Sequence, residues 1–412
     1  MYICKIVYIF ATKYKIDNIM GSDKNIQNIT GTPVTGKNFF GRTEEVKKAW
    51  KLIEAGESLK LDAPRRVGKS SFAHKMKDIA IEKGWNYVFC NVQKCHSENS
   101  FFENFITELE KNSLYKKLRN KLTPTKITLS PEALGYNIGS IEWENHCKDC
   151  YTRLQKELNH KKDTLIIIDE LTVYLSHLKG KDNKRINSAI FSLDWLDSLR
   201  QNPDRKIRWI LCSSISIDYF IDEHEISNKM RGLKSLPIDQ LNNTEAVLLI
   251  EALAKSANLT FSKEAKQCVL NKLVWLLPFY IQKLFHEIKN LEETDITSEN
   301  IEQAYQNLLD SAEKDNYFKT MVQDLKNHKD KKNIAQLLLN QISSQANGSS
   351  LNVLKSLIVD KIKDVEKAEN ILKDLLKKLK NDGYIMLNKS DNKYLFRSPL
   401  LRDFWYNTFV KK

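Results

Sequence analysis

The sequence predicts a doubly wound α/β core, followed by an α-helical segment and a small C-terminal winged-helix domain. Three stretches carry the prediction. "LKLDAPRRVGKSS" (59–71) reads as a strand, a tight loop and the start of a helix; "TLIIIDEL" (164–171) is an apolar strand ending in two carboxylates; and from residue 333 on, helices alternate with two short strands about a polar turn. A run as apolar as the second suits a strand covered on both faces of a parallel sheet.

The composition sets the bounds. At 412 residues the chain is long enough for two or three domains at about 150 residues each. Hydrophobic residues at 42% and charged residues at 28% exclude a disordered chain and fit a soluble protein with real cores. A net charge of +13 is compatible with nucleic acid or an anionic surface as partner. The lysines are spread along the chain, so the charge alone does not require such a partner. The opening stretch "MYICKIVYIFATKYK" holds only about ten apolar residues, where a membrane span needs roughly 20, and it has no small-residue cleavage site. Residues 1–19 read as an upstream extension or a loosely attached strand, Met20 as a more ordinary start, and the cytoplasm as the default location with no membrane partner.

Seven dispersed cysteines (Cys4, Cys90, Cys95, Cys147, Cys150, Cys212, Cys268) do not form a disulfide framework. "HCKDC" (146–150) and "CHS" (95–97) are the pieces of a zinc site, but they lie far apart and the first reads as helix. Zinc needs four converging ligands, so reduced thiols are the expectation.

Taken in order, "GRTEEVKKAWKLIEAG" (41–56) is a capped helix with Thr43 at its N-cap and acidic residues in its first turn. "ESLKLDA" (57–63) is a strand, "GKSSFAHKMKDIAIEKG" (68–84) a helix closed by glycine, and "WNYVFCNV" (85–92) the next strand. This is the βαβ setting of a phosphate-binding loop of the form G-x-x-x-x-G-K-[ST]. Ala63 stands where the first glycine is usual, and Pro64, Arg65, Arg66 and Val67 lead to Gly68, Lys69, Ser70 and Ser71. Backbone N–H groups at the helix start attract phosphates, Lys69 reaches the β and γ phosphates, and the Ser70 hydroxyl can hold Mg²⁺. Alanine is the smallest replacement for glycine, so a slightly stiffer working loop is expected.

The acidic strand complements the loop. Asp169 emerges at the C-terminal edge of its strand, where ligands bind in open α/β sheets; it can hold Mg²⁺ with Ser70, while Glu170 can orient or deprotonate an attacking water. "KIRWILCSSIS" (206–216) is a further strand delivering Ser213 and Ser214, either a phosphate sensor or turn residues. Arg200, Arg205 and Arg208 lie between the two strands, where an oligomer could use one as a finger; none is assigned a catalytic role. The stretch 100–160 is a helical insertion with a polar, turn-rich part. From 236 to about 327 the pattern is helical, with Asn243, Ser262 and Ser298 as caps. In the last segment Lys373, Lys377, Lys378 and Lys380, with Lys389 and Lys393 on the turn, could meet DNA phosphates, although side chains that read bases are scarce. The domains expected are an N-terminal extension over 1–36, open to partial disorder; a phosphate-loop core over 37–235; a helical lid over 236–327; and a winged helix over 328–412.

The succession "FFGRTEEV", "APRRVGKSS", "IIIDEL", "WLDSLRQ", "IRWILCSSIS", "LPFYIQKL" and "YLFRSPLLRDFW" resembles the archaeal-type P-loop ATPases, a STAND branch related to AAA+ proteins and also found in bacteria. The resemblance runs from about Phe39 to the C-terminus. It implies an α/β P-loop NTPase core, ATP with Mg²⁺ as ligands, and slow hydrolysis serving a conformational switch. It further implies that Gly41 and Arg42 turn the chain next to the adenine, that Ser214 is the sensor serine, and that Pro278 opens a helix covering the nucleotide. Three positions depart from the family pattern: "CSSIS" lacks both glycines of Gly-Ser-Ile-Gly, Leu277 stands for the glycine before Pro278, and Ala63 opens the loop. The alternatives left open are a nucleotide-gated regulator binding double-stranded DNA, and a signalling or defence scaffold whose ATP occupancy controls a protein partner or homo-oligomer.

Overall fold

The computed structural model describes residues 25–111, 162–180, 185–201, 206–214, 216–226, 230–311, 316–325 and 331–411. Most of the N-terminal extension, the insertion from residue 112, the "HCKDC" stretch and Arg205 lie outside these residues. The chain forms two compact units, neither of them one continuous stretch of sequence. One comprises Thr43–Ala63 and Lys69–Ile238; the other comprises the residues up to Arg42, Pro64–Gly68 and Asp239–Lys412.

The first unit is built on a parallel five-stranded sheet. Its strands are β1 (Leu59–Asp62), β2 (Asn86–Asn91), β3 (Thr164–Asp169), β4 (Ile207–Ser213) and β5 (Lys234–Ser235), in the order β2-β3-β4-β1-β5. Register aligns their C-terminal ends: Asn91 pairs with Asp169 and Asp62 with Ser213. The helices are α1 (Thr43–Glu54), α2 (Lys69–Glu82), α3 (Glu98–Glu110), α4 (Leu171–Lys179), α5 (Ile186–Gln201) and α6 (Ile217–Glu223).

Every residue of β3 is buried, as its unbroken apolar run requires of a strand covered on both faces. One parity of the strands (Val88, Cys90, Ile166, Ile168, Trp209, Leu211) joins α3, α4 and α5 in a single core. Aromatic rings dominate it: Phe101 stacks on Tyr174 at 4.7 Å between centroids, and Trp195 meets Phe101 and Phe105 edge-on. The opposite parity (Leu165, Ile167, Ile210, Cys212) is equally buried, as are Phe72, Ala73 and Met76 of α2.

In the second unit the helices are α7 (Asn243–Ala257), α8 (Lys263–Leu273), α9 (Pro278–Lys289), α10 (Ser298–Ser311), α11 (Asn316–Asp324), α12 (Lys332–Ser343), α13 (Leu351–Ile362), α14 (Val365–Asn381) and α15 (Pro399–Phe409). Helix α7 is capped by Asn242, one residue before the expected cap, because Asn242 and Glu245 bond each other's backbone N–H reciprocally. Ser262 caps α8 as expected. Strands β6 (Thr260–Phe261) and β7 (Asp295–Ile296) form a two-stranded parallel pair. Strands β8 (Ser349–Ser350), β9 (Ile385–Asn388) and β10 (Lys393–Phe396) form an antiparallel sheet in the order β8-β10-β9.

The C-terminal elements are tied to the helices before them by polar and aromatic contacts. Tyr305 donates to Asp403 at 2.8 Å, Tyr384 donates to the Met321 carbonyl, and the Phe318 and Phe404 rings meet tilted at 4.5 Å between centroids. Among the described residues no helix is long and apolar enough to cross a membrane.

Trp209 is 1% exposed and its ring lies parallel to Phe105 at 6.3 Å. Trp209→Ala is expected to cost about 3–5 kcal/mol, the transfer term plus the cavity left in a core that relaxes only in part. Urea denaturation followed by circular dichroism measures it.

Candidate functional site

Asp169 and Glu170 stand at the exit of β3. Asp169 is 2% exposed, and its Oδ2 accepts from the Ser70 hydroxyl at 2.8 Å and from the Asn91 amide at 3.4 Å. Its Oδ1 is buried without a hydrogen-bond partner. Burial pushes the Asp169 carboxyl above the usual carboxylate range, and the Ser70 bond pulls it back.

Glu170 turns the chain from strand into α4 in the left-handed conformation, with φ 64° and ψ 38°. For a residue with a Cβ this conformation costs roughly 1 kcal/mol. Its carbonyl accepts from Val173 and Tyr174, which starts the helix at once. Its Oε2 accepts from the Ser214 hydroxyl at 2.7 Å. The neighbouring Ser213 is fully buried at the end of β4, and its Oγ has no hydrogen-bond partner. Lys69, buried at the start of α2, donates to the Ala63 carbonyl across the loop. Ser70 and Ser71 follow it in the first turn.

The loop residues Pro64–Gly68 belong to the other unit. Arg66 and Gly68 lie in the left-handed region, with φ 67° and 104°, and Ala63 does not. The residue standing for the missing glycine therefore needs no glycine; the strained position is Arg66. Its guanidinium lies 5.0 Å from the centre of the Phe279 ring, while Arg65 is exposed. Phe279 follows Pro278, the first residue of α9. Pro64 packs where a Cβ on Gly383 would come within 2.8 Å of it, so that approach depends on glycine at 383. Arg42 is 2% exposed and donates from Nη2 to the Val67 carbonyl at 2.6 Å; Gly41 before it lies against Leu241 and Glu245.

The structure thus gathers Lys69, Ser70, Asp169, Glu170 and Ser214 in one unit, and Gly41, Arg42, Val67, Gly68 and Pro278 in the other. Of the three arginines named above as finger candidates, the two that are described are engaged locally. Arg200 makes two bonds to Asp197 Oδ1 and lies over Gly232; Arg208 bonds its neighbour's carbonyl. Sequence reasoning missed Asn91 and the direct Ser214–Glu170 bond. A polar residue closing a strand after the run Tyr87–Cys90 was the available signal for Asn91. Among the described residues Cys90, Cys95, Cys212 and Cys268 form no disulfide, and no group of three or more potential ligands could hold a metal through His, Cys, Asp and Glu alone.

A parallel sheet with a lysine–serine helix start beside a strand-end carboxylate pair defines the P-loop nucleotide-binding fold. No family model and no curated protein matches the sequence. Solved structures do match: the chain is similar to the Walker-type ATPase Paby2304 of Pyrococcus abyssi, with TM-score 0.61 and 16% identity over 92% of this chain and 99% of that one. It is also similar to the ORC2 protein of Aeropyrum pernix, solved as ADPNP-ADP complexes, with TM-score 0.55 and 11% identity over 93% and 97% of the two chains. This chain has the fold of these archaeal P-loop ATPases.

Two stability effects follow from the strand end. A raised carboxyl pKa in the folded protein favours the protonated form, so its contribution is full below the unfolded value and is lost as pH rises through the folded one. Asp169→Asn is therefore expected to raise the melting temperature of the ligand-free protein at pH 7, with the gain shrinking toward pH 4. At Glu170, glycine is free of the left-handed penalty: Glu170→Gly is expected to be more stable than Glu170→Ala by roughly 1 kcal/mol in urea denaturation.

Proposed function

We propose that this chain is a Mg²⁺-dependent, ATP-binding ATPase that works as a nucleotide-driven conformational switch. The observation that carries the reading is the pair of hydroxyl–carboxylate bonds at the sheet edge, Ser70 to Asp169 and Ser214 to Glu170. The loop from Ala63 to Ser71 would wrap the phosphates with its backbone N–H groups, and Lys69 would move its ammonium from the Ala63 carbonyl to the β and γ phosphates. The residues fit a magnesium ion: its preferred donors are oxygens, and Asp169 Oδ1 is a buried oxygen with no hydrogen-bond partner, beside the Ser70 hydroxyl. When bound, the ion supplies charge neutralisation on the phosphates.

Glu170 is the group to accept a proton from the attacking water, and Ser214 holds its carboxylate in place. In the same position the Ser214 hydroxyl can exchange Glu170 for a γ-phosphate oxygen, which makes it a sensor. Gly41, Arg42 and Pro278 are assigned to the nucleoside side by the family resemblance, as is the choice of ATP over GTP. The helices of residues 236–327 are read as a lid, and α12 through α15 with their three-stranded sheet as a winged helix.

A second reading, binding of duplex DNA through α14 and the β9–β10 turn, is favoured by the exposure of Lys373, Lys377, Lys380 and Lys389. Two features weigh against it. The partly buried Lys378 is paired with Asp374, which also holds Lys331. The first turns of α14 also present Glu366 and Glu369, where helix-turn-helix proteins place base-reading residues.

The test is nucleotide binding and ATP turnover by the wild type, Lys69→Ala and Glu170→Gln, with and without duplex DNA. Lys69→Ala is expected to lose binding. Glu170→Gln is expected to bind normally and turn over about 10²–10⁴-fold more slowly, the usual worth of a general base. Stimulation by DNA, with steep salt dependence, would support the second reading. A wild type that binds no nucleotide would leave the chain as a P-loop scaffold acting through its contacts.

A further inference from the structure

We propose that Arg42 is a positioning residue for the phosphates: its guanidinium fixes the plane of the Val67–Gly68 peptide so that the Gly68 N–H faces the bound anion. The inference rests on the nucleotide-site reading and names how that site is held in shape.

In a planar trans peptide the carbonyl of one residue and the N–H of the next point in opposite directions. Gripping the carbonyl oxygen therefore sets the direction of the N–H. Arg42 Nη2 donates to the Val67 oxygen at 2.6 Å, which turns the Gly68 N–H away from the guanidinium. Gly68 is the residue least able to hold that plane by itself, since without a Cβ it adopts either sign of φ with similar ease. Left-handed backbone at Arg66 and Gly68, alternating about Val67, is the pattern that makes successive N–H groups converge into an anion-binding nest. Rotation of the one peptide between Val67 and Gly68 would put a carbonyl oxygen into that nest.

The grip is itself anchored. Arg42 sits in the left-handed region at φ 60°, a conformation a bulky residue keeps only where its surroundings impose it. Its backbone N–H donates to Glu245 Oε1 at 2.7 Å, and Glu245 Oε2 accepts from the Asn242 N–H at 3.2 Å while Asn242 Oδ1 accepts from the Glu245 N–H at 2.9 Å. The cap of α7 thus holds the backbone of Arg42, and the side chain of Arg42 holds the loop. The Gly68 Cα lies beneath the guanidinium as well, since a Cβ there would come within 3.9 Å of Nη2.

The experiment measures the affinity of the full chain for ADP and for inorganic pyrophosphate, by calorimetry without added Mg²⁺, in the wild type, Arg42→Met and Arg42→Lys. Methionine keeps length without a donor; lysine keeps one donor and the charge. Arg42→Met is expected to weaken both ligands by the same factor, roughly 10- to 100-fold, as the loss of a charge-assisted hydrogen bond would, and Arg42→Lys is expected to recover most of it. A merely structural role would lower the melting temperature of both variants without restoring affinity in the lysine one. If Arg42→Met does not fold, Arg42→Gln, too short to reach the carbonyl, takes its place with the same expectation. Wild-type affinity in Arg42→Met or Arg42→Gln, or equal losses in these and Arg42→Lys, overturns the proposal while leaving the nucleotide site intact. A wild type that binds neither ligand overturns both.

Discussion

A carboxylate at the end of a strand with no exposed residue is the constraint on which the site depends. Asp169 is carried into the interior by the five residues before it, and burial makes its charge costly there. Ser70 and Asn91 return part of that cost from two neighbouring elements, and one oxygen is still left over. The same strand exit forces Glu170 into left-handed backbone, which places its carboxylate against Ser214 at the end of the adjacent strand. The arrangement holds two acids close together in different surroundings, one buried and short of partners, the other at the rim and bonded to a hydroxyl. In the proposed function the first would hold a cation and the second would handle a proton.

The second unit holds its own loop segment, Pro64–Gly68, by a different means. No charge is stored there at a strand end; instead a short loop is clasped from outside. Arg42 holds the Val67 carbonyl, Phe279 receives Arg66, and Gly383 makes room for Pro64. The C-terminal elements that include Gly383 are tied through Tyr384 and Tyr305 to α11 and α10 before them. The loop is therefore braced by residues far from it in sequence, including one just before β9.

Much of the sheet was legible because its cause is local. "LIII" has no polar residue to place on a wet face, and Gly68-Lys69-Ser70 declares a helix start after a short strand. Four strands of the parallel core and the pairing of Ser70 with Asp169 follow from such signals; the fifth, Lys234–Ser235, was not read from the sequence. Less legible were features that depend on backbone conformation in the folded chain. The sequence drew attention to Ala63, because a glycine is missing there, while the left-handed positions are Arg66 and Gly68. Arg42 was legible as part of a turn, but nothing in the letters says that its guanidinium reaches a carbonyl 25 residues on. The engagement of Ser214 with Glu170 depends on a strand exit whose angle no spacing rule supplies. The discontinuity of the two units was hidden for the same reason, since it comes from long-range packing and not from any linker composition.

The partners of Arg42 have a consequence for the birth of the protein on the ribosome. Its backbone bond to Glu245 spans 203 residues, and the bond of Asn28 to the Gln282 carbonyl spans 254. Translation at about 5–20 residues per second separates the ends of the first contact by roughly 10–40 s. During that interval the phosphate loop has already emerged, with the strand and helix that flank it, but the residue that anchors Arg42 does not yet exist. The nascent chain therefore passes through a stage at which the sheet can assemble while the loop is unbraced. The anchoring of Arg42, and with it the grip on the Val67 carbonyl, is then completed late, as a step that waits for α7.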